Sequence, residues 1–175
     1  MGEPERFREM YVEHYGAVLR YARRRVGEDA APDVTAEVFA TAWRRWDAVP
    51  GRALPWLYGV ARNTVANHLR SRDQAARRRI EDGRERTARD VGEQVTARSA
   101  VRQAWAALSE PDRELLALIG WEGLTVREAA RVLECTAATC SVRLHRARGR
   151  LRRALEQQEH GEELTAGRLE GQSWA

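Results

Sequence analysis

The stretch Thr125–Leu155 reads TVREAARVLECTAATCSVRLHRARGRLRRAL. Its first part, TVREAARVL, has the spacing of a short helix, with Thr125 and Glu128 placed as a capping box. The residues ECT make a tight turn, and Thr136 stands where it can cap the helix that follows. In that second helix Cys140, Leu144, Ala147, Leu151 and Leu155 recur at spacings of three and four, so they share one face. Around them lie Arg143, Arg146, Arg148, Arg150, Arg152 and Arg153, with no acid between Ala137 and Leu155. Such a density of like charge is costly on an isolated surface and favourable in a groove walled by phosphate, where each arginine neutralises charge and releases counterions. Helix, tight turn and basic helix together are the layout of a helix-turn-helix nucleic-acid reader. With the apolar stripe inward, Thr139, Ser141, Val142, Arg143, His145 and Arg146 face outward near the helix's N-terminal half. A solvated basic face is the plainer alternative.

Working outward, residues 97–124 supply the rest of a second helical bundle. Val101, Ala104, Trp105 and Leu108 form one stripe, Ser109 is placed to cap the next helix, and RELLALIGW is almost wholly apolar and reads as core. Upstream, Phe7, Met10, Tyr11, Tyr15, Val18, Ala22 and Val26 mark a first helix over about 5–26, loaded with Arg23, Arg24 and Arg25 in its last turn and ended by Gly27. A second helix over about 33–46 carries Val34, Val38, Phe39, Ala42, Trp43 and Trp46 on its apolar face. After the loop Asp47–Leu54, a third helix begins near Pro55, with Leu57, Val60, Ala61, Val65, His68 and Leu69 on one side and Arg62, Asn63, Asn67, Arg70 and Arg72 on the other. No strand pattern occurs. The fold class is all-α: two small helical bundles, 1–72 and 97–155, joined by a flexible, partly helical charged linker, 73–96, and followed by an acidic tail, 156–175. The last helix is expected to fray through Glu159 and the rest of the tail to be loose.

Charge follows this division. Residues 1–72 carry 12 arginines against 9 acids, 97–155 carry 11 against 6, and 156–175 carry one against 5. All 30 basic residues are arginine, whose fork holds phosphate and guanine bidentately and stacks on bases. The 175 residues are 43% hydrophobic and 32% charged, enough for modest cores. Cys135 and Cys140 read as thiols of a reducing interior, and no apolar run reaches the length of a membrane span, so a soluble cytoplasmic protein is expected. The signatures of nucleotide-binding loops, serine hydrolases and zinc proteases are absent, and His14, His68, His145 and His160 are scattered. Neither an enzyme nor a cofactor is expected. Cys135, Cys140 and His145 are close in sequence, but the helical period turns Cys140 inward and His145 outward, so no metal site is expected either.

With these motifs in view, LSEPDRELLALIGWEGLTVREAARVLECTAATCSVRLHRARGRLRRAL resembles region 4 of the extracytoplasmic-function (ECF) sigma factors of the sigma-70 family. APDVTAEVFATAWRRW followed by PWLYGVARNTVANHLRSR resembles their region 2. The resemblance implies a sigma factor that binds core RNA polymerase through the β′ clamp and β flap and directs promoter recognition and transcription initiation. It places Asp33, Glu37, Phe39 and Trp43 on the clamp, where the two acids share a helix face, although both aromatics also suit a core. It implies that the loop Asp47–Leu54 captures a flipped base of the −10 element. Trp46, Asp47, Gly51 and Arg52 then lie beside that base, and Arg62, Asn63, Asn67 and Arg70 along the strand. It assigns Thr139, Ser141, Val142, Arg143, His145 and Arg146 to the −35 element, and it implies an anti-sigma factor as a further partner. Two positions depart from the family pattern: Glu134 stands where glycine is common, and Ser141 where arginine is common. A helix-turn-helix regulator that does not act as a sigma factor is the alternative; it accounts for 97–155 and leaves the first bundle unexplained.

Overall fold

A computed structural model describes residues 2–81 and 100–170, and no strand occurs among them. The helices are α1 (Glu3–Val26), α2 (Ala31–Arg44), α3 (Ala53–Glu81), α4 (Ala100–Ala106), α5 (Glu110–Gly120), α6 (Val126–Val132) and α7 (Ala137–Glu170), with a 3-10 turn at Trp46–Ala48. Among the described residues, 2–81 and 128–135 form one compact unit, and 100–127 and 136–170 form the other.

In the first unit α1, α2 and α3 each pack against the other two. The expected stripes supply the core: Val18 and Ala22 of α1, Val34, Val38 and Ala42 of α2 and Leu57 and Ala61 of α3 are buried, joined by Tyr21 and Tyr58, which those stripes did not include. Full burial of one such Val, Leu or Tyr side chain contributes about 1.5–3 kcal/mol. Arg25 lies 3.5 Å over the Tyr21 ring, which is itself 5.2 Å from that of Tyr58. Gly27, at φ 85°, ends α1 in a conformation that a β-carbon disfavours, and its N–H reaches the Arg23 carbonyl. Helix α2 stops at Arg44, so Trp46 belongs to the 3-10 turn and not to the helix.

In the second unit α4 and α5 both pack on α7. Ala104, Leu108, Leu115, Leu118, Cys140, Leu144 and Ala147 are buried, which fixes the inward face of α7 where the period put it. Val101 and Trp121, expected in the core, are each 58% exposed. Ser109 does occupy the position before α5, but its hydroxyl makes no capping bond; it hydrogen-bonds the Asp112 carboxylate instead.

The ends of two helices differ from expectation. Helix α3 continues through Glu81, because DQAARRRIE is made of good helix formers and nothing in it breaks the backbone ladder. Helix α7 likewise runs through EQQEHGEELTAGRLE to Glu170, where a frayed end and a loose tail were expected; its glutamates, glutamines, leucines and alanine favour a helix, while Gly161 and Gly167 oppose it. The remainder of the expected linker, 82–96, lies outside the described residues.

The turn between α6 and α7 is closed by the Cys135 N–H on the Ala130 carbonyl (2.9 Å). Glu134 has φ 53° and is the one non-glycine residue with positive φ among the described residues. A β-carbon there costs about 1–2 kcal/mol, against about 0.5–1 kcal/mol for the extra unfolded freedom of glycine. Glu134→Gly is therefore expected to stabilise the protein by about 0.5–1 kcal/mol, read as a higher urea midpoint at unchanged slope.

Candidate nucleic-acid interface

The start of α7 is built as the turn chemistry requires. The Thr139 N–H donates to Thr136 Oγ1 at 3.1 Å, and the two threonine hydroxyls lie 2.8 Å apart. Thr136 is thus the cap that was expected, and the Thr139 hydroxyl is engaged with it. Ser141, Val142, His145 and Arg146 are exposed, and Arg143 is half-buried. These side chains, with Thr139, line the outward face of the first turns of α7.

The arginines of α7 divide. Arg150 makes a two-pronged ion pair with Asp112 of α5: Nε to Oδ2 at 2.6 Å and Nη2 to Oδ1 at 2.7 Å. It was expected to face phosphate or solvent, and instead it ties α7 to α5. Asp112 is buried and Arg150 partly exposed. The Arg150 hydrogen bonds hold the Asp112 carboxyl below its ordinary 3.8; burial opposes this, and the Ser109 hydroxyl and the charges of Arg150 and Arg143 reinforce it.

A carboxylate with a lowered folded pKa stabilises fully above its unfolded value, and that stabilisation is lost as pH falls through the folded one. Asp112→Asn should lower the stability of the second unit at neutral pH by about 1 kcal/mol, since the pair is screened on its Arg150 side. For a domain of this size that is roughly 4–8 °C in Tm. Below pH 3.8 the wild type should lose this advantage, so the two melting curves approach each other on acidification. A constant offset from pH 7 to pH 2 (about five pH units) would remove the ion pair as its cause.

In the first unit Asp33 and Glu37 are exposed on α2. Phe39, 3% exposed, belongs to the core, with its ring 4.7 Å from Tyr11 and 6.2 Å from Tyr15. Trp43 is 48% exposed and meets Phe7 edge-on at 5.0 Å. Of the two aromatics, Trp43 is the one a partner can reach. Trp46 is held between Phe7 (5.7 Å) and the Arg6 guanidinium (5.8 Å) and is half-buried. Asp47, Gly51 and Arg52 are exposed on the loop that follows. On α3, Asn63, Asn67 and Arg70 are exposed and Arg62 half-buried; Arg70 donates to the Asn67 side-chain carbonyl.

Loop and helix meet around an open cavity of about 230 Å³ lined by Arg45, Pro50, Arg52, Pro55, Trp56, Asn63 and Arg131. An aromatic plane, an amide and three guanidinium groups suit a splayed nucleotide: the plane stacks on the base, the amide meets its edge, and the cations meet phosphate. Sequence reading singled out Arg52 and Asn63 and left out Arg45, Trp56 and Arg131. Arg131 lies far along the chain, and no spacing rule links it to the loop. Also missed was the exposure of Trp121, whose ring centre lies 4.8 Å from that of half-buried Trp105 in the second unit. Among the described residues no group of His, Cys, Asp and Glu is arranged to hold a metal, and no helix is long and apolar enough to cross a membrane.

Comparison with known proteins adds the following. Residues 10–75 match the family model of Sigma-70 region 2, and residues 98–151 match that of Sigma-70, region 4. The chain is 30% identical over 158 residues to the RNA polymerase sigma-E factor of Streptomyces coelicolor, covering 89% of each. It is 33% identical over 141 residues to the ECF RNA polymerase sigma factor BldN of the same organism, covering 75% of this chain but 53% of that protein. Among solved structures it is similar to the sigma factor RpoE of Bartonella quintana, solved in complex with the anti-sigma factor NepR. The TM-score is 0.64 at 23% identity, covering 87% of this chain and 98% of that one, a likeness of fold.

Proposed function

The chain belongs to the sigma-70 family of RNA polymerase sigma factors, in its extracytoplasmic-function group, and on that premise we propose how its surfaces share the work of initiation. It is a sigma factor, a protein that binds core RNA polymerase and directs promoter recognition and DNA-templated transcription initiation. The observation that carries this is the presence of both regions, 10–75 and 98–151, in one chain. A regulator that reads DNA without polymerase has use for the second alone.

In our reading 1–72 is region 2, 73–96 the linker, 97–155 region 4 and 156–175 an acidic tail. Asp33 and Glu37, with the reachable ring of Trp43 beside them, take the β′ clamp, their charges meeting basic clamp residues. Val101, Trp105 and Trp121 form the apolar surface suited to the β flap. Trp46, Asp47, Gly51 and Arg52 receive a −10 base, and Arg62, Asn63, Asn67 and Arg70 follow the strand. The outward face of α7 reads the −35 element. The factor works in the cytoplasm, where polymerase is, as a non-enzymatic initiation factor. The fold-relative from B. quintana was solved with an anti-sigma factor, and we extend that kind of partner to this chain.

Run-off transcription on a promoter library, with core polymerase and this chain, tests the reading. Specific transcripts are expected only when both are present. The variant Asp33→Arg/Glu37→Arg should reduce retention by core at least tenfold (about 1.4 kcal/mol) while circular dichroism stays native. Unchanged retention in a natively folded variant removes the clamp assignment.

A further inference from the structure

Val142 stands in the second turn of α7, on the side away from the buried Cys140, Leu144 and Ala147. It is 51% exposed, the one large apolar side chain that α7 leaves so open among the described residues. Its neighbours are polar: Ser141, His145 and Arg146 are exposed and Arg143 is half-buried. The Thr139 hydroxyl, one turn earlier, is already engaged with that of Thr136 at the cap. Polar reading by this face therefore falls to Ser141, His145 and the two arginines, and Val142 is the apolar group among them. Arg146 follows Val142 by four residues, so the two share a side of the helix and lie about 6 Å apart along its axis.

We propose that Val142 reads the C5-methyl group of a thymine in the −35 element, and so selects a T·A pair within about two base pairs of the position read by Arg146. The inference rests on the reading of the outward face of α7 as the −35 surface. Thymine alone carries an apolar group on its major-groove edge; adenine, guanine and cytosine present donors and acceptors there. Against the methyl, Val142 and the base each bury apolar surface. Against any other base the valine covers a polar group and returns no hydrogen bond, which costs affinity. The side chain thus selects by attraction and by exclusion together. The register follows from two rises. Four residues of helix advance about 6 Å and one base pair about 3.4 Å, so with α7 along the groove the two contacts fall about two steps apart.

The test uses holoenzyme and a duplex whose −35 element was selected by the run-off library. Each −35 thymine, on either strand, is exchanged in turn for deoxyuridine, which keeps every hydrogen-bonding group and lacks only the methyl. At one position the wild type is expected to bind about fourfold more weakly (about 0.8 kcal/mol, one buried methyl); this arm needs no variant to fold. Natively folded Val142→Ala should bind the thymine duplex more weakly by about the same factor and be nearly indifferent to the exchange. A scan without a sensitive position, or a response that Val142→Ala keeps in full, overturns the proposal. So does a preferred element with no thymine within about two base pairs of the position that Arg146→Ala alters. Weaker retention of Val142→Ala by core polymerase, with the deoxyuridine response intact, assigns Val142 to a protein contact and overturns it as well. Arg146→Ala separates the methyl contact from the reading beneath it. A reordered −35 ranking beside a flat scan removes the methyl contact alone, and an unchanged ranking beside a flat scan removes the −35 reading of α7 too.

Discussion

Exchange of Asp47–Arg52 for six Gly and Ser residues should leave holoenzyme bound to duplex promoter with affinity changed by no more than about twofold and reduce opening of the −10 region at least tenfold, as expected if one base contact of about 1–3 kcal/mol is lost. The structure sets the limits of the exchange. Ala53 is buried and opens α3, and Pro55 is buried behind it, so a replacement reaching Leu54 would damage the bundle. Residues 47, 48 and 50–52 are exposed and Val49 is half-buried, so their side chains contribute little to the core. Their proposed work is to hold a base that has left the stack. Extrusion costs a few kcal/mol, and stacking on an aromatic plane such as Trp56 returns about 1–3 kcal/mol per base. In the same proposal duplex binding draws instead on phosphate contacts spread over both regions. Permanganate reactivity of −10 thymines reports opening, and a gel shift on duplex reports association. Full reactivity in the exchanged loop would show that the base is captured elsewhere.

Legibility of this chain followed the range of each interaction. Helical period alone predicts that Cys140, Leu144 and Ala147 face inward, and they are buried. A two-residue argument identifies Thr136 as a cap, and Thr139 N–H is bonded to it. These effects are local, and the residue types have few other uses at those positions. Helix ends were harder to place. The chain past Arg72 and past Glu159 lacks an apolar stripe, yet alanine, arginine and glutamate sustain a helix without one. Val101 and Trp121 fit an apolar period and remain exposed, because a stripe does not say how far the neighbouring helix extends.

The charged pairs were the least visible of all. Asp112 and Arg150 are 38 residues apart and meet only because α5 packs on α7. Arg52 and Glu128 lie on either side of the linker. Of the candidate site, the sequence and the family resemblance together pointed to both proposed DNA-contacting faces. The sequence could not separate arginines that reach outward from one already neutralised inside the fold.

That separation shapes the prediction for α7. Arg150 is held by Asp112, so it is not counted among the phosphate contacts. Arg146 is exposed near the N-terminal half that is proposed to enter the major groove, beside His145 and Val142, and Arg153 is exposed further along. Arg146→Ala should cost about 1–3 kcal/mol on the preferred −35 sequence, a loss of roughly 5- to 150-fold, and should reorder the ranking of −35 variants. Arg153→Ala should weaken all sequences alike or hardly at all, and any loss should appear as a salt slope shallower by about one. Arg150→Ala should act differently from both, lowering Tm while leaving the slope of the folded protein as it was, since the residue meets a carboxylate and not DNA. Titrations of holoenzyme on a set of −35 variants at several salt concentrations, with melting curves alongside, distinguish the three outcomes. If Arg146→Ala keeps both ranking and affinity, the outward face of α7 does not read bases. If Arg150→Ala flattens the salt slope without lowering Tm, the pair with Asp112 gives way on DNA and Arg150 must be counted with the phosphate contacts after all.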